Sequence, residues 1–179
     1  MLHVHLLPPL SLYPTLDAAL ASDYVVILMS STDEVQLEGE AILRSLQGQA
    51  GGGEIVACVQ APLSDPITPQ TKQLIHKSLL SFITYFFPST PKIHSSDTPS
   101  EAALLARALC EGTPEGGAKG DGRAYLVAEG SYGVQWAAGE DGETGSLRVE
   151  GTVRGGCLSA DRLVHLPGHG DFQVELVSR

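Results

Sequence analysis

The chain has 179 residues, enough to bury a core as one large domain or two small ones. Eleven Lys and Arg against 21 Asp and Glu give a formal charge of -10, which excludes salt-driven nucleic-acid binding as a property of the whole surface and leaves only local contacts. The longest uninterrupted apolar run, Tyr24 to Met29, falls far short of the roughly 20 residues a membrane helix needs, so no membrane partner is expected.

The opening MLHVHLLPPLSLYP has no basic stretch and its apolar run breaks at Pro8 and Pro9, so it does not read as a signal peptide. Cys58, Cys110 and Cys157 are few, odd in number and far apart, a pattern of reduced thiols and not of a disulfide framework. Both features point to a protein that stays inside the cell.

In chain order, His3 to Leu7, Tyr24 to Ser30, Glu54 to Gln60 and a short Lys92 to Ser95 read as strands, each followed by a helical pattern. The helices are a short one beginning Thr15-Leu-Asp, one over Val35 to Gln47, a long one over Thr68 to Phe87 and one over Pro99 to Cys110. The second places Val35, Leu37, Ile42, Leu43 and Leu46 near one face. The long one opens on Thr68-Pro69, a cap followed by proline at the first helical position, and stops at Pro88. The fourth is preceded by Ser-Asp-Thr-Pro-Ser-Glu, which offers several capping residues. This alternation predicts an α/β layer with a mostly parallel sheet.

Residues 112 to 122 contain no large apolar side chain and five glycines, and read as a linker. Beyond it the pattern becomes all-β. Ala124 to Gln135, Ser146 to Arg154, Leu163 to Leu166 and Phe172 to Val177 are predicted strands with glycine-rich turns. Ser146 to Arg154 alternates most regularly, with Leu147, Val149 and Val153 on one side and Arg148, Glu150, Thr152 and Arg154 on the other.

An α/β layer raises the question of a nucleotide. No Gly-Lys-Ser or Gly-Lys-Thr occurs, and Gly51 to Gly53 precedes a strand and not a helix, the wrong order for phosphate binding at a helix N-terminus. The strand Glu54 to Gln60 runs into Ala61 and Pro62 where a guanine-reading element would carry Asn, Lys and Asp. Ala118-Lys-Gly-Asp121 copies three of those positions, but within the linker and with no strand before it. Glu129-Gly-Ser-Tyr-Gly133 lacks the spacing of a nucleophile elbow and reads as a turn or a strand distortion. Cys157, His165 and His169 invite a metal, yet the two histidines flank Pro167-Gly168 on a turn and a fourth ligand is missing. His3 and His5 share a strand face without an acidic or cysteine partner. No catalytic, cofactor or metal residues are therefore assigned, and no cofactor is expected.

Basic residues have their clearest grouping near the C-terminus. Residues 1 to 120 carry six basic against twelve acidic side chains, whereas the segment from Thr144 to Arg179 balances Arg148, Arg154, Arg162 and Arg179 against Glu150, Asp161, Asp171 and Glu175. An arginine-bearing β-surface can make local phosphate contacts.

The stretch from Gly145 to Gln173 resembles a specific family. Its Leu-Arg-Val-x-Gly strand, Val153-Arg-Gly155, Arg162-Leu-Val-His165 and Pro167-Gly-x-Gly-Asp-Phe-Gln173 are similar to the 20S-rRNA-accumulation proteins (Tsr-type), GTPase-like assembly factors of the small ribosomal subunit, and more distantly to their Bms-type relatives. Asp121-Gly-Arg-Ala-Tyr-Leu126 resembles the start of that family's second domain. Leu16 to Leu28 resembles a helix and strand of its G domain, and Ala57-Cys-Val-Gln60 the point where the guanine motif has been lost. Thr152 and Asp161 depart from the family, which favours an aromatic at the first and Asn at the second.

The resemblance implies a partial, degenerate GTPase-like α/β domain without a P-loop over residues 1–111, a linker over 112–122 and the start of a translation-GTPase domain-II-like β-barrel over 123–179. It implies a non-enzymatic ribosome biogenesis factor for small-subunit (pre-40S) maturation, which binds the pre-ribosome and blocks premature translation-factor engagement. Pre-ribosomal rRNA, ribosomal proteins and other assembly factors are the implied partners, in the nucleus and nucleolus and on late cytoplasmic particles. Arg148, Arg154, Arg162, His165 and His169 are the candidate contacts. The family is much longer than this chain, and the strand that would precede residue 1 sits inside the family's sheet, so an exposed edge or a gap is expected beside its neighbours. Two other readings compete: a GTPase whose nucleotide site lies on further sequence, and an acidic protein-protein adaptor that touches no RNA.

Overall fold

The computed structural model describes residues 2–49, 53–61, 68–90, 92–114, 122–128, 130, 133–139 and 144–178. The chain divides into two compact units, Met1–Gly117 and Ala118–Arg179.

The first unit runs α1 (Leu12–Ala21), β1 (Tyr24–Ser30), α2 (Leu37–Gly48), β2 (Glu54–Gln60), α3 (Pro69–Phe86), β3 (Ile93–Ser95) and α4 (Pro99–Glu111). The three strands form a parallel sheet in the order β1-β2-β3. Strand alternation sorts the side chains. Val25, Ile27, Ile55, Ala57 and Ile93 face Leu16 and Ala19 of α1, Ile42, Leu43 and Leu46 of α2, and Leu79, Phe82, Ile83 and Phe86 of α3, which together make the core. Ala57 and Ile83 are wholly buried there. On the opposite face Tyr24, Val26 and Leu28 share a side with Cys58. There α4 lies against β3 and its end at Gly112 reaches the Tyr24 hydroxyl. Cys58 is buried, while Val26 and Leu28 stay exposed.

Local chemistry sets the helix starts. The Thr68 hydroxyl accepts from the Thr71 N–H at 3.3 Å with Pro69 at the first helical position. Among the capping residues before α4, Thr98 takes the role. Its hydroxyl accepts from the Glu101 N–H, and the Glu101 carboxylate accepts in return from the Thr98 N–H, a complete capping box.

Two expectations fail in this unit, and a third is met in one of its two forms. His3 to Leu7 forms no strand; Val4 and Leu6 are exposed, because an extended segment without a neighbour has nowhere to send its backbone hydrogen bonds. The second helix begins at Leu37 and not Val35, and Leu37 points to solvent, so the inner face is Ile42, Leu43 and Leu46 alone. No gap opens in the sheet: β1 pairs with β2 at all seven positions, from Tyr24 opposite Glu54 to Ser30 opposite Gln60. The expected exposed edge is present on the other side of β1, which has no strand partner among the described residues.

The second unit consists of β4 (Tyr125–Ala128), β5 (Val134–Ala138), β6 (Gly145–Val149), β7 (Gly151–Arg154), β8 (Leu163–Leu166) and β9 (Gly170–Gln173). They pair antiparallel as β4-β7, β5-β6 and β8-β9. Among the described residues these remain separate pairs, and no closed barrel is found. The predicted Ser146 to Arg154 strand is two strands that change partner at Glu150, and Ala124 to Gln135 likewise divides. Ala128 lies opposite Gly151 and Val134 opposite Val149, so the numbering advances by six on one side and by two on the other. The Glu150 N–H donates to the Gly133 carbonyl at 2.7 Å across this break. Beyond the break, Gly151 passes so near the Val127 carbonyl that a Cβ would collide with it. The last strand starts at Gly170, ahead of the predicted Phe172, because the short turn over 167–169 places Gly170 opposite Leu166. Residues 174–178 are not strand.

Several sequence features lie wholly or partly outside the described residues: Gly51 and Gly52, Pro62, the linker from 115 to 121 with its Ala118-Lys-Gly-Asp121, residues 129, 131 and 132, and Arg179. No helix among the described residues is long and apolar enough to cross a membrane.

Candidate functional site at the carboxyl ends of the parallel strands

Open α/β sheets bind ligands in the crevice beyond the carboxyl ends of their strands. In the first unit, that rim is built by the residues following Ser30, Gln60 and Ser95. Beyond β3, Asp97 turns back toward β2, and its Oδ1 accepts from the Ala61 N–H at 2.6 Å. Its Oδ2 accepts from Lys72 Nζ at 2.6 Å. Lys72 projects from the first turn of α3 and also donates to Glu101 Oε1 of α4 at 2.6 Å. Next to this trio, the Ser95 hydroxyl and His76 Nε2 share a hydrogen bond of 3.0 Å.

Electrostatics keep the trio ionised. Partial burial alone opposes ionisation of Asp97, but the Ala61 N–H and the Lys72 ammonium outweigh it and hold the carboxyl below its ordinary value. Lys72 itself holds Glu101 down, with help from Thr98. The two carboxylates raise Lys72 against its own desolvation. Burial, then the neighbouring Lys72, pushes His76 down, so its imidazole is held neutral.

The space left over is lined by Ser31, Val59, Ala61, Lys72, Ile75, His76 and Asp97 and measures about 10 Å³. That is close to the minimum for one water, against the several hundred Å³ of a ligand pocket. The Ser31 hydroxyl is buried there without a hydrogen-bond partner among the described residues. At the end of β1 the rim is acidic: Ser30 Oγ donates to Asp33 Oδ2 at 2.8 Å and accepts from the Asp33 N–H at 3.1 Å. Among the described residues, this crevice holds an internal charge cluster in place of a pocket.

The sequence-predicted contact residues lie in the second unit and are distributed over its three strand pairs. Arg148 on β6 stands opposite Gln135 and its guanidinium meets Glu150 at 2.7 Å. Arg154 ends β7 opposite Tyr125 and also has an interaction partner. His165 on β8 lies opposite Asp171, with Nδ1 and Oδ1 2.8 Å apart. Arg162 precedes β8 and His169 sits in the β8-β9 turn; both side chains are exposed. The structure thus brings Arg162, His165 and His169 onto one hairpin and leaves Arg148 and Arg154 on two other pairs. Cys157, His165 and His169 form no metal cluster, and no group of three His, Cys, Asp or Glu that could hold a metal occurs among the described residues.

Sequence reasoning named none of Lys72, His76, Ser95 and Asp97 as site residues. Glu101 was visible only as part of a capping segment. Their shared signal is positional, since Asp97 and Glu101 follow the last parallel strand directly and Lys72 opens the helix before it.

Residues 2–111 match the family described as Tsr1, G-like domain, and residues 120–179 match the AARP2CN (NUC121) domain. The chain is 36% identical over 173 residues to the ribosome biogenesis protein tsr1 of Schizosaccharomyces pombe, covering 96% of this chain and 21% of that protein. It is 31% identical over 170 residues to the pre-rRNA-processing protein TSR1 homolog of Homo sapiens, covering 94% and 20%. To the Dictyostelium discoideum homolog it is 25% identical over 157 residues, covering 87% and 18%. The chain spans about a fifth of the length of these curated relatives. Because the G-like match takes in the whole parallel sheet, its four helices and the charge cluster at its rim, the chain belongs to the Tsr1 G-like domain family.

Proposed function

We propose that this chain is a non-catalytic, GTPase-like module of a ribosome biogenesis factor that acts in maturation of the small subunit. The observation that carries the reading is the Lys72–Asp97–Glu101 cluster, which occupies the crevice where an open α/β sheet would take a nucleotide. Ammonium and carboxylates satisfy one another, and the opening that remains among the described residues is water-sized. The relatives' names, ribosome biogenesis protein and pre-rRNA-processing protein, supply the process.

In this reading residues 1–111 are the partial G-like domain, 112–122 the linker and 123–179 the start of a domain-II-like barrel whose remaining strands lie on further sequence. The module binds the pre-40S particle through rRNA, ribosomal proteins and other assembly factors, and its shape blocks premature engagement of translation factors. It works in the nucleus and nucleolus and stays on late cytoplasmic particles. Arg162 and His169, exposed on one hairpin, are the foremost RNA contacts. Arg148, Arg154 and His165 can contribute after exchanging their present partners for phosphate.

Titration of fluorescent GTP with magnesium into the complete gene product tests the catalytic half of this reading. No saturable binding is expected up to millimolar nucleotide, and magnesium-dependent micromolar binding would overturn it. Sedimentation tests the other half: the protein is expected to travel with pre-40S particles, and exclusive recovery in the free fraction would refute the assembly role.

A further inference from the structure

Helix α3 is unlike the rest of its unit. Residues 1–111 contain eleven Asp and Glu against five Lys and Arg, yet the 18 residues of α3 contain no acid at all and two lysines. Lys72 is committed to Asp97 and Glu101, which leaves Lys77 as the helix's exposed cation without an ion-pair partner among the described residues. Lys77 lies on a stripe with Leu74, Ser78, Ser81 and Tyr85, spaced as one solvent face. Leu74 is 70% exposed and Tyr85 65% exposed, while the helix's other face fills the core. Between them, Leu74, Lys77, Ser78, Ser81 and Phe82 line a shallow open depression. From Leu74 to Tyr85 the stripe runs about 16 Å, three turns of helix.

We infer that this face of α3 is a docking surface for an acidic, amphipathic protein segment that seats apolar side chains between Leu74 and Tyr85 and sets a carboxylate against Lys77. Charge complementarity selects the partner. An acid-free helix within a strongly acidic unit repels an acidic segment least along this one face, and Lys77 attracts it there. RNA fits less well, because a single uncommitted lysine cannot hold a phosphate backbone against the surrounding acids. Tyr85 and Leu74 supply the amphipathic and apolar anchors that protein interfaces concentrate. The inference goes beyond the assembly reading and does not depend on it.

A photo-crosslinking benzoyl-phenylalanine at Ser81 of the complete gene product, activated in living cells, tests it by sequencing the adduct. The expected adduct is a peptide of another protein with more acidic than basic residues. Its yield should fall about tenfold in Lys77→Glu and in Leu74→Glu and be unchanged in Lys92→Glu, a charge reversal off the stripe. Both stripe substitutions are on exposed positions, and unchanged melting temperatures would confirm that folding is intact. An adduct to rRNA, an adduct to a second copy of this chain, a basic peptide, no adduct, or equal loss in Lys92→Glu would each overturn the proposal. Sedimentation of the same protein with pre-40S particles reports separately on the assembly reading.

Discussion

Lys72 Nζ and Asp97 Oδ2 stand 2.6 Å apart, joining the first turn of α3 to the residue that follows the last parallel strand by two positions. Asp97 spends its other oxygen on the Ala61 N–H, so one carboxylate ties the ends of β2 and β3 to α3. Removing either charge leaves the other partly buried without its partner. Lys72→Met should destabilise the first unit by about 1–3 kcal/mol, since Asp97 and Glu101 then face each other uncompensated. Asp97→Asn, which keeps an acceptor for Ala61, should cost less than Asp97→Ala. Urea unfolding of the three variants checks the order.

Acid should act in two steps. His76 is held below its ordinary value by burial and Lys72, and His94 by burial and Lys92. Below about pH 6.5 the unfolded chain therefore binds protons that the folded chain does not, and stability falls gently as pH drops toward the folded values. Asp97 and Glu101 are also depressed, so their contribution is complete above the ordinary carboxylate range of about 4 and is lost as pH falls through their folded values. Denaturation midpoints measured from pH 7 to pH 3 should show a shallow limb and then a steeper one. His76→Gln should flatten the first, and Lys72→Met should weaken the second.

Gly151 admits no side chain where it passes the Val127 carbonyl. Gly151→Ala should cost about 1–3 kcal/mol through overpacking and release the β4-β7 pairing. Amide exchange is the measurement: protection along Tyr125–Ala128 should fall well before that of β5 and β6.

On β1, Val26 and Leu28 are exposed beside an edge that no described strand covers. Such an edge pairs with other chains. The isolated chain should associate as its concentration rises, and Leu28→Lys should shift it toward monomer with little change in unfolding free energy. Sedimentation equilibrium of both forms decides this.

Most elements were legible because they depend on neighbours in sequence. Thr68-Pro69 announced α3, the β-branched run Tyr24 to Ser30 announced β1, and the alternating stretch around Arg148 announced strand. His3 to Leu7 misled because its pattern is that of a strand, whereas a strand exists only with a partner. The single strand expected from Ser146 to Arg154 misled for a related reason: the alternation continues through Glu150, but the partner changes there.

The family and the missing nucleotide motifs were readable from residue types and spacing alone, because a motif is a local requirement of backbone and side-chain chemistry. The contents of the crevice were not. Lys72 lies 25 residues from Asp97 and 29 from Glu101, and only the parallel stacking of β2 and β3 brings their side chains to one rim. Composition declared the chain acidic, and tertiary structure decided that Asp97 and Glu101 share the ammonium of the distant Lys72 at the rim of the sheet.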